Sequence, residues 1–212
     1  MQMEISAISK LLAPYIEELS PLQLEQVSLY LDLLLKWNAR MNLTSIRDPE
    51  NIVKRHFGES FFLARHLPAH LPDLTDIGSG AGFPAIPIQI YRPELKLRLI
   101  EAQLRKATFL KEVGRALKLD FEVNNSRLEQ QVPDLSGSAS IVTLRAVEKF
   151  DLILPLAAKL VRAGSDSGGI LAILIGTAQV SRARTLLPEW RFDPEIPVPG
   201  GENRVILRGE PK

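Results

Sequence analysis

Apolar residues recur at helical spacing through residues 4 to about 66, the first third of the chain. The two stripes consist of Ile5, Ile8, Leu11, Leu12, Tyr15, Ile16 and Leu19, and of Leu22, Val27, Tyr30, Leu31, Leu34, Leu35 and Trp37. Because such positions share one face of a helix, they predict two amphipathic helices. Ser20 is placed as an N-cap and Pro21 as the first residue of the second helix. The stretch from Asn38 to Pro49 is polar and irregular, and a third helix is predicted from Pro49 to His66.

From Leu74 onward the pattern changes to short apolar runs that alternate with amphipathic segments. The predicted strands are Leu74–Gly78, Leu97–Glu101, Phe121–Asn124, Ser140–Leu144 and Ile170–Ile175, and the predicted helices are 84–91, 103–117, 127–131, 150–162 and 177–187. Runs rich in Ile, Leu and Val are typical of a sheet that is covered on both faces. The alternation predicts right-handed βαβ units, and Gly164–Gly169 reads as a flexible loop before the fifth strand.

The end of the chain has a different pattern. Two strand-like runs, Trp190–Ile196 and Arg204–Leu207, are joined by Pro199-Gly200-Gly201-Glu202-Asn203, which predicts a closing antiparallel hairpin. The expected fold is therefore α/β, with a doubly wound, Rossmann-like, mostly parallel sheet and an N-terminal helical extension. We expect residues 1–72 to form the extension and residues 73–212 the main domain, packed together as one structural unit.

Three glycines at alternate positions follow the first predicted strand, in Asp76-Ile77-Gly78-Ser79-Gly80-Ala81-Gly82-Phe83-Pro84. A P-loop is strongly disfavoured because it needs a Lys, and no Lys lies between Leu74 and Leu95. The third glycine comes one residue too early for the Gly-x-Gly-x-x-Gly of dinucleotide-binding folds. An acid-x-Gly-x-Gly-x-Gly pattern resembles the first motif of class I S-adenosylmethionine-dependent methyltransferases. A plain structural βαβ turn is the alternative.

A carboxylate, Glu101, ends the second predicted strand about 20 residues after the turn. A carboxylate at this position can accept hydrogen bonds from both ribose hydroxyls of an adenosine group. NAD enzymes use the same device, so Glu101 alone does not identify the cofactor. Five alternating units followed by a hairpin, however, are the layout of class I methyltransferases rather than of NAD enzymes.

Composition removes several kinds of chemistry. The chain has no Cys, which fits a reducing compartment and excludes a thiolate nucleophile of the kind used to methylate pyrimidine C5. His66 and His70 are four residues apart, but Pro68 lies between them and no Cys could join them, so we expect no metal site. Apolar runs are too short to span a membrane. We expect a cytoplasmic protein with no membrane partner.

Charge is nearly balanced overall but is unevenly distributed. The net charge is +1, so the chain is not a globally basic nucleic-acid binder. From Lys36 to His66 six Lys and Arg face three acids, and from Arg92 to Lys118 eight face three. These basic stretches flank the predicted cofactor site and could contact phosphates; a solvated helix face is the alternative for most of them.

Further motifs make the resemblance more specific. They are Lys36-Trp37-Asn38, Asn42-Leu43-Thr44-Ser45-Ile46-Arg47-Asp48-Pro49, Arg55-His56, Asp76 to Pro87 and Leu144-Arg145-Ala146. In this order and spacing they resemble the bacterial ribosomal RNA small-subunit methyltransferase G family, also called glucose-inhibited division protein B, over roughly residues 20 to 208. The resemblance implies methyl transfer from S-adenosylmethionine to the N7 of a guanine in 16S ribosomal RNA. The implied partner is that RNA, as the 30S subunit or an assembly intermediate, and the protein is expected to be a monomer.

The resemblance also implies the site residues. The cofactor residues would be Asp76, Gly78, Gly80, Gly82, Phe83, Glu101, Leu128, Glu129 and Arg145, and the RNA-binding candidates are Arg47, Arg55 and His56. Arg145 is the positioning candidate, since an Arg there can hold the cofactor carboxylate or an RNA phosphate. For Phe83 and His56, structural roles in the core are equally good alternatives.

Two positions depart from the family pattern. Ile175 precedes Gly176 where members often have a Lys, and Glu59 stands where an Asp is usual. Three other functions remain open: methylation of a small molecule, non-catalytic RNA or ribosome binding on a methyltransferase fold, and, least favoured, NAD-dependent oxidoreduction.

Overall fold

A computed structural model of the chain describes residues 3–164 and 168–212, so residues 165–167 of the loop predicted at Gly164–Gly169 lie outside the described part. The N-terminal region is helical. Its elements are α1 (Ile5–Leu12), α2 (Pro21–Met41), α3 (Pro49–Ile52), a π-helical segment (Val53–Gly58) and α4 (Glu59–Arg65). The third helix predicted from the sequence is thus three consecutive segments, the middle one with wider π-type turns.

Local sequence sets both ends of α2. The Ser20 hydroxyl accepts a hydrogen bond from the Gln23 N–H, and the Gln23 side chain accepts one from the Ser20 N–H, so the predicted cap is confirmed as a capping box. The helix ends at Asn42, whose left-handed backbone (φ 49°) stops further helical hydrogen bonding. It therefore runs to Met41, three residues beyond the predicted start of the irregular stretch at Asn38.

The predicted parallel sheet is confirmed. Its strands are β1 (Asp73–Ile77), β2 (Lys96–Ile100), β3 (Phe121–Asn124), β4 (Ile141–Arg145), β5 (Ile170–Gly176), β6 (Trp190–Phe192), β7 (Ile196–Pro197) and β8 (Arg204–Pro211). Their order is β3-β2-β1-β4-β5-β8-β6, with β7 also paired to β8. β1 to β5 are mutually parallel, and β8 is antiparallel to β5, β6 and β7. The order reverses between β1 and β4, which is where open α/β sheets bind ligands.

The remaining helices cover both faces of the sheet. They are α5 (Ala85–Tyr91), α6 (Leu104–Leu117), α7 (Leu128–Leu135), α8 (Phe150–Ala158) and α9 (Val180–Leu186), the last preceded by a 3-10 turn at Thr177–Gln179. Leu74 faces a cluster that includes the N-terminal helices, α5 and α6, whereas Ile77 faces a cluster with α8 and α9. Both faces of the sheet are therefore buried, as the continuous apolar runs of its strands predicted.

The closing hairpin is also present. Trp190 pairs with Pro211, and Ile196 pairs with Ile206, so the register changes by one residue between β6 and β7. One extra residue on the first arm is a bulge, which lets this arm bend while both of its parts stay paired to β8.

Candidate active site

The glycine turn leaves the C-terminal end of β1 and leads into α5. Gly78, Gly80 and Gly82 all have left-handed backbones, with φ of 66°, 57° and 88°. A Cβ on Gly82 would collide with the Tyr30 hydroxyl and with Ile86, so this glycine is required for packing. A Cβ on Gly80 would approach nothing closer than the Gly78 carbonyl oxygen at 3.7 Å. The turn is therefore closed by the protein at Gly82 and open at Gly80, where a ligand can approach the backbone.

Asp76 is buried beneath the turn with one unused oxygen. The Thr143 hydroxyl donates to its Oδ1 at 2.7 Å, while Oδ2 has no hydrogen-bond partner in the part of the chain that the structure describes. Burial raises the pKa of Asp76 to about 7, and the hydrogen bond from Thr143 opposes that shift. An unpartnered buried carboxylate oxygen is costly unless a donor fills it, so this atom is suited to a cationic or N–H group of a ligand.

Glu101 lies beside the turn, as the sequence predicts for the carboxylate at the end of the second strand. The Gly80 N–H donates to Oε2 and the Gln103 N–H donates to Oε1, both at 2.8 Å. Each carboxylate oxygen can accept a further hydrogen bond. The side chain is 5 % exposed, and these backbone donors fix its orientation toward the turn.

The segment after β3 is tied to the backbone of Glu101. Asn125, which the sequence pattern did not single out, donates from Nδ2 to the Glu101 carbonyl oxygen at 2.9 Å and thereby ties this segment to the end of β2. Leu128 is buried and Glu129 is exposed in the first turn of α7. Their expected contact with the cofactor adenine stays a prediction.

Arg145 occupies the C-terminal end of β4 and points into the protein. Its Nη1 donates to His56 Nδ1 at 2.9 Å, and its Nη2 donates to the Arg55 carbonyl at 2.6 Å and to Glu59 Oε2 at 3.1 Å. Its Nε is buried without a partner among residues 3–164 and 168–212. Burial lowers the pKa of Arg145 to about 10, against the raising effect of Glu59. The bidentate hold on a carboxylate or phosphate that was expected would require these terminal nitrogens to exchange partners.

Glu59 is a site residue that the sequence pattern did not mark as such. It is fully buried and accepts from Arg55 Nε at 2.9 Å, Arg145 Nη2 at 3.1 Å and Arg204 Nη2 at 3.0 Å. One carboxylate thus joins the π-helical segment, β4 and β8. In the sequence it appeared as a departure from the Asp that is usual after the Arg-His pair, and that position in the family pattern was the one signal present.

His56 is held on both sides of its ring. Because Arg145 can only donate, Nδ1 accepts and the proton lies on Nε2, which donates to the Thr44 hydroxyl at 2.7 Å. The ring stacks on Phe83 with centroids 4.8 Å apart, and Phe83 stacks in turn on Tyr30 at 5.2 Å. Burial, together with the nearby Arg145, lowers the pKa of His56 to about 3. The imidazole is therefore neutral at physiological pH.

The loop between α2 and α3 is held in place by hydrogen bonds of Thr44 with Asn38 and with His56. The Asn38 side chain accepts from the Thr44 N–H at 2.9 Å, which places the threonine over His56. Arg47 is exposed and donates to Asn42 at 2.9 Å. Arg55 is 41 % exposed, so Arg47 and Arg55 are the two RNA-binding candidates that solvent reaches.

Ile175 and His66 are both held by contacts within the protein. Ile175 is buried and pairs with Val205 in the sheet, so a Lys is absent at this position and hydrophobic packing replaces it. His66 contacts the Phe62 carbonyl oxygen through Nδ1 at 2.7 Å. Among the described residues there is no group of three or more potential metal ligands, and no described helix is long and apolar enough to cross a membrane.

Two solved structures of methyltransferases share this fold. The ribosomal protein L11 methylase of Lactobacillus delbrueckii subsp. bulgaricus has a TM-score of 0.58 at 14% identity, with 74% of this chain and 79% of that chain covered. The T. thermophilus 16S rRNA N2 G1207 methyltransferase, in complex with AdoMet and guanosine, has a TM-score of 0.53 at 15% identity, covering 72% and 38%. At such identities the likeness concerns the fold alone. Sheet order, terminal hairpin and glycine turn together define a class I methyltransferase fold.

Sequence comparison then identifies the family. The model of the family described as rRNA small subunit methyltransferase G matches residues 23–185. The "Ribosomal RNA small subunit methyltransferase G" of Roseiflexus sp. is 37% identical over 87% of this chain and 82% of its own length. The protein of the same name from Chloroflexus aggregans is 42% identical over 69% of this chain, and the match spans 63% of that relative, less than two thirds. The chain belongs to the rRNA small subunit methyltransferase G family.

Proposed function

We propose that this protein transfers a methyl group from S-adenosylmethionine to the N7 of a guanine in 16S ribosomal RNA. The observation that carries the proposal is the pairing of an open glycine turn with two buried carboxylates, Asp76 and Glu101, at the switch point of the sheet. Membership of the family gives the acceptor class, and the residues around the turn fit the donor.

The polar atoms at the turn match the cofactor's polar groups. The free Oδ2 of Asp76 can accept a hydrogen bond from the ammonium of the methionine half. Glu101 keeps one accepting lone pair on each oxygen for the ribose hydroxyls. Gly80 leaves room for the cofactor against the backbone, and Leu128 with Glu129 would border the adenine. The donor set therefore fits the group.

The bound cofactor would supply a methyl group already activated by a sulfonium charge. Guanine N7 carries a lone pair and no proton, so the reaction needs no general base. His56 agrees with this, because both of its ring nitrogens are engaged and its pKa of about 3 keeps it neutral. The chain's task is to align the acceptor and exclude water, which can lower a barrier by several kcal/mol. Arg145 would help to position the guanine that accepts the methyl group.

RNA would approach over the loop between α2 and α3. Arg47 in this loop is exposed, Arg55 in the π-helical segment is partly exposed, and both would contact phosphates. We further propose that the substrate is the 30S subunit or an assembly intermediate, and that the protein acts in the cytoplasm as a monomer. Residues 1–72 would serve as an extension that positions RNA, and residues 73–212 as the methyltransferase domain.

Methyl transfer to ribosomal subunits tests the proposal. Labelled S-adenosylmethionine is incubated with 30S subunits that lack the modification, using the parent protein and the Gly80→Asp and Arg145→Ala variants. The expected result is label in 16S RNA that strand-scission chemistry specific for N7-methylguanine reveals, and that both variants lose. Cofactor binding without labelled RNA in any assembly state would refute the RNA assignment, and label elsewhere on the RNA would refute N7.

A further inference from the structure

A basic cavity lies between α2 and α6, outside the cofactor site. Its volume is about 350 Å³, within the range of small-ligand sites. Its lining consists of Lys36, Trp37, Arg40, Met41, Arg105 and Thr108. Nothing in the proposed reaction uses these six side chains.

The two arginines of this cavity differ from most other arginines of the protein. Within residues 3–164 and 168–212, twelve arginines form ion pairs with carboxylates, whereas Arg40 and Arg105 have neither an ion pair nor a side-chain hydrogen bond. Lys36 is likewise exposed and unpaired within the described ranges. No carboxylate is among the described residues that line the cavity. Three uncompensated cations converge on one space, which favours an anionic occupant.

The floor of the cavity is aromatic and apolar. Trp37 is half-buried, and its ring lies 5.5 Å from that of Phe109 on α6, so its orientation is fixed by the core. Met41 lies one helical turn further along the same face of α2. The Thr108 hydroxyl donates to the Leu104 carbonyl at 2.9 Å, which leaves its oxygen free to accept a hydrogen bond. An oriented indole beside cations is the arrangement that binds a stacked base and its phosphate.

The cavity is bordered on both sides by segments of the candidate active site. Met41 is followed directly by Asn42 and the loop that reaches His56, and Arg105 lies four residues after Glu101. α6 begins where β2 ends, so Arg105 and Thr108 lie in the part of α6 that is nearest the edge of the sheet with the glycine turn. A strand whose guanine entered the active site would pass this cavity with an adjacent nucleotide.

We propose that the cavity binds an unpaired RNA nucleotide next to the target guanine. Its base contacts Trp37 and Met41, and its phosphates pair with Lys36, Arg40 and Arg105. This inference rests on the proposed RNA-modifying function and names a second recognition site for the same substrate. Single-stranded RNA is recognised in this way because its unstacked bases are free to contact aromatic rings.

Charge removal on the cavity rim is the first test. The variant Arg40→Gln/Arg105→Gln is compared with Lys111→Gln/Lys159→Gln, which removes two exposed cations outside the cavity. Binding to 30S subunits is measured against salt concentration. The rim variant should show a slope of log affinity against log salt that is shallower by about 0.7 for each phosphate it no longer neutralises. Cofactor affinity should be unchanged, and the control should retain the parent slope.

Trp37 itself reports whether a base stacks on it. The chain has two Trp residues, so the Trp190→Phe variant leaves Trp37 as the single indole. RNA oligonucleotides should quench its fluorescence, and the Arg40→Gln/Arg105→Gln change in this background should abolish the quenching. Trp37→Leu should weaken RNA binding roughly 5- to 150-fold, whereas Trp37→Phe, which keeps a ring, should have a smaller effect.

The outcomes separate this inference from the proposed function. If the parent labels no RNA, the proposed function fails first. If the parent methylates RNA but the rim variant keeps its salt slope and RNA leaves Trp37 fluorescence unchanged, the nucleotide site is wrong. Loss of cofactor affinity in the rim variant would assign the cavity to the cofactor and would also overturn the inference.

Discussion

Replacement of Glu59 by glutamine removes a negative charge that three guanidinium groups share. Glu59 is fully buried and Arg145 is 8 % exposed, whereas Arg204 and Arg55 are 20% and 41% exposed. The glutamine side chain has nearly the same shape, so the change tests charge rather than packing. It leaves the buried Arg145 beside two other cations with no carboxylate to compensate them.

Breaking a buried ion pair costs about 3–5 kcal/mol because an uncompensated charge remains. Arg55 is screened by water, so its share is below about 1 kcal/mol, and the glutamine oxygen still accepts a hydrogen bond worth about 1 kcal/mol. We therefore expect the free energy of unfolding to fall by about 2–4 kcal/mol. For a chain of this size the melting temperature would fall by roughly 4–16 °C.

Urea unfolding followed by far-UV circular dichroism measures this loss. Glu17→Gln is the matched control, because Glu17 pairs with Arg65 while 88 % exposed, and its loss should be below about 0.5 kcal/mol. Glu59→Asp keeps the charge on a shorter side chain and should recover most of the stability. If Glu59→Gln unfolds at the same urea concentration as the parent, the carboxylate does not compensate the arginine cluster and the reasoning is wrong.

Three further predictions concern protonation and the turn. The raised pKa of Asp76 means that its ionisation destabilises the fold between about pH 4 and 7, so parent stability relative to Asp76→Asn should decrease over that range in urea unfolding at several pH values. His56 has a lowered pKa, so it opposes folding only as pH falls below about 6.5, and its NMR signals, assigned with His56→Asn, should not move between pH 5 and 8. Gly82→Ala should cost about 2–5 kcal/mol by calorimetry, and Gly80→Ala about 1–2 kcal/mol, because only the former adds a collision to backbone strain.

The sequence predicts well those features that depend on neighbouring residues. β3 matches its predicted bounds, Phe121–Asn124, and β1 is displaced by one residue, because short apolar runs between turn residues have few alternatives. The position of Glu101 beside the turn follows from parallel topology, since strand ends meet at one edge. α8 was predicted to reach residue 162 but ends at Ala158, because the following residues pair with Ala139 instead.

Contacts between distant segments could not be predicted in this way. Glu59 meets partners 86 and 145 residues away, and no local pattern marks an acid that will collect three arginines. Arg145 was expected to face the ligand because it ends a strand. Its guanidinium instead donates to acceptors in and beside the π-helical segment. The periodicity of the sequence does not show whether an arginine will bind a ligand or an acceptor within the protein.

The position of β8 between β5 and β6 has a consequence for vectorial folding during synthesis. Of the described strands, β8 is made last, yet it supplies the neighbour of β5 and carries Arg204 to Glu59. Until β8 leaves the ribosome, β5 presents an open edge of apolar residues to other nascent chains. The group of arginines around Glu59 would also lack Arg204. In a nascent chain, the strands that form the cofactor site would therefore fold before the part of the site that contains Arg145 and Glu59 is complete. The whole active site would form only after the C-terminal hairpin closes.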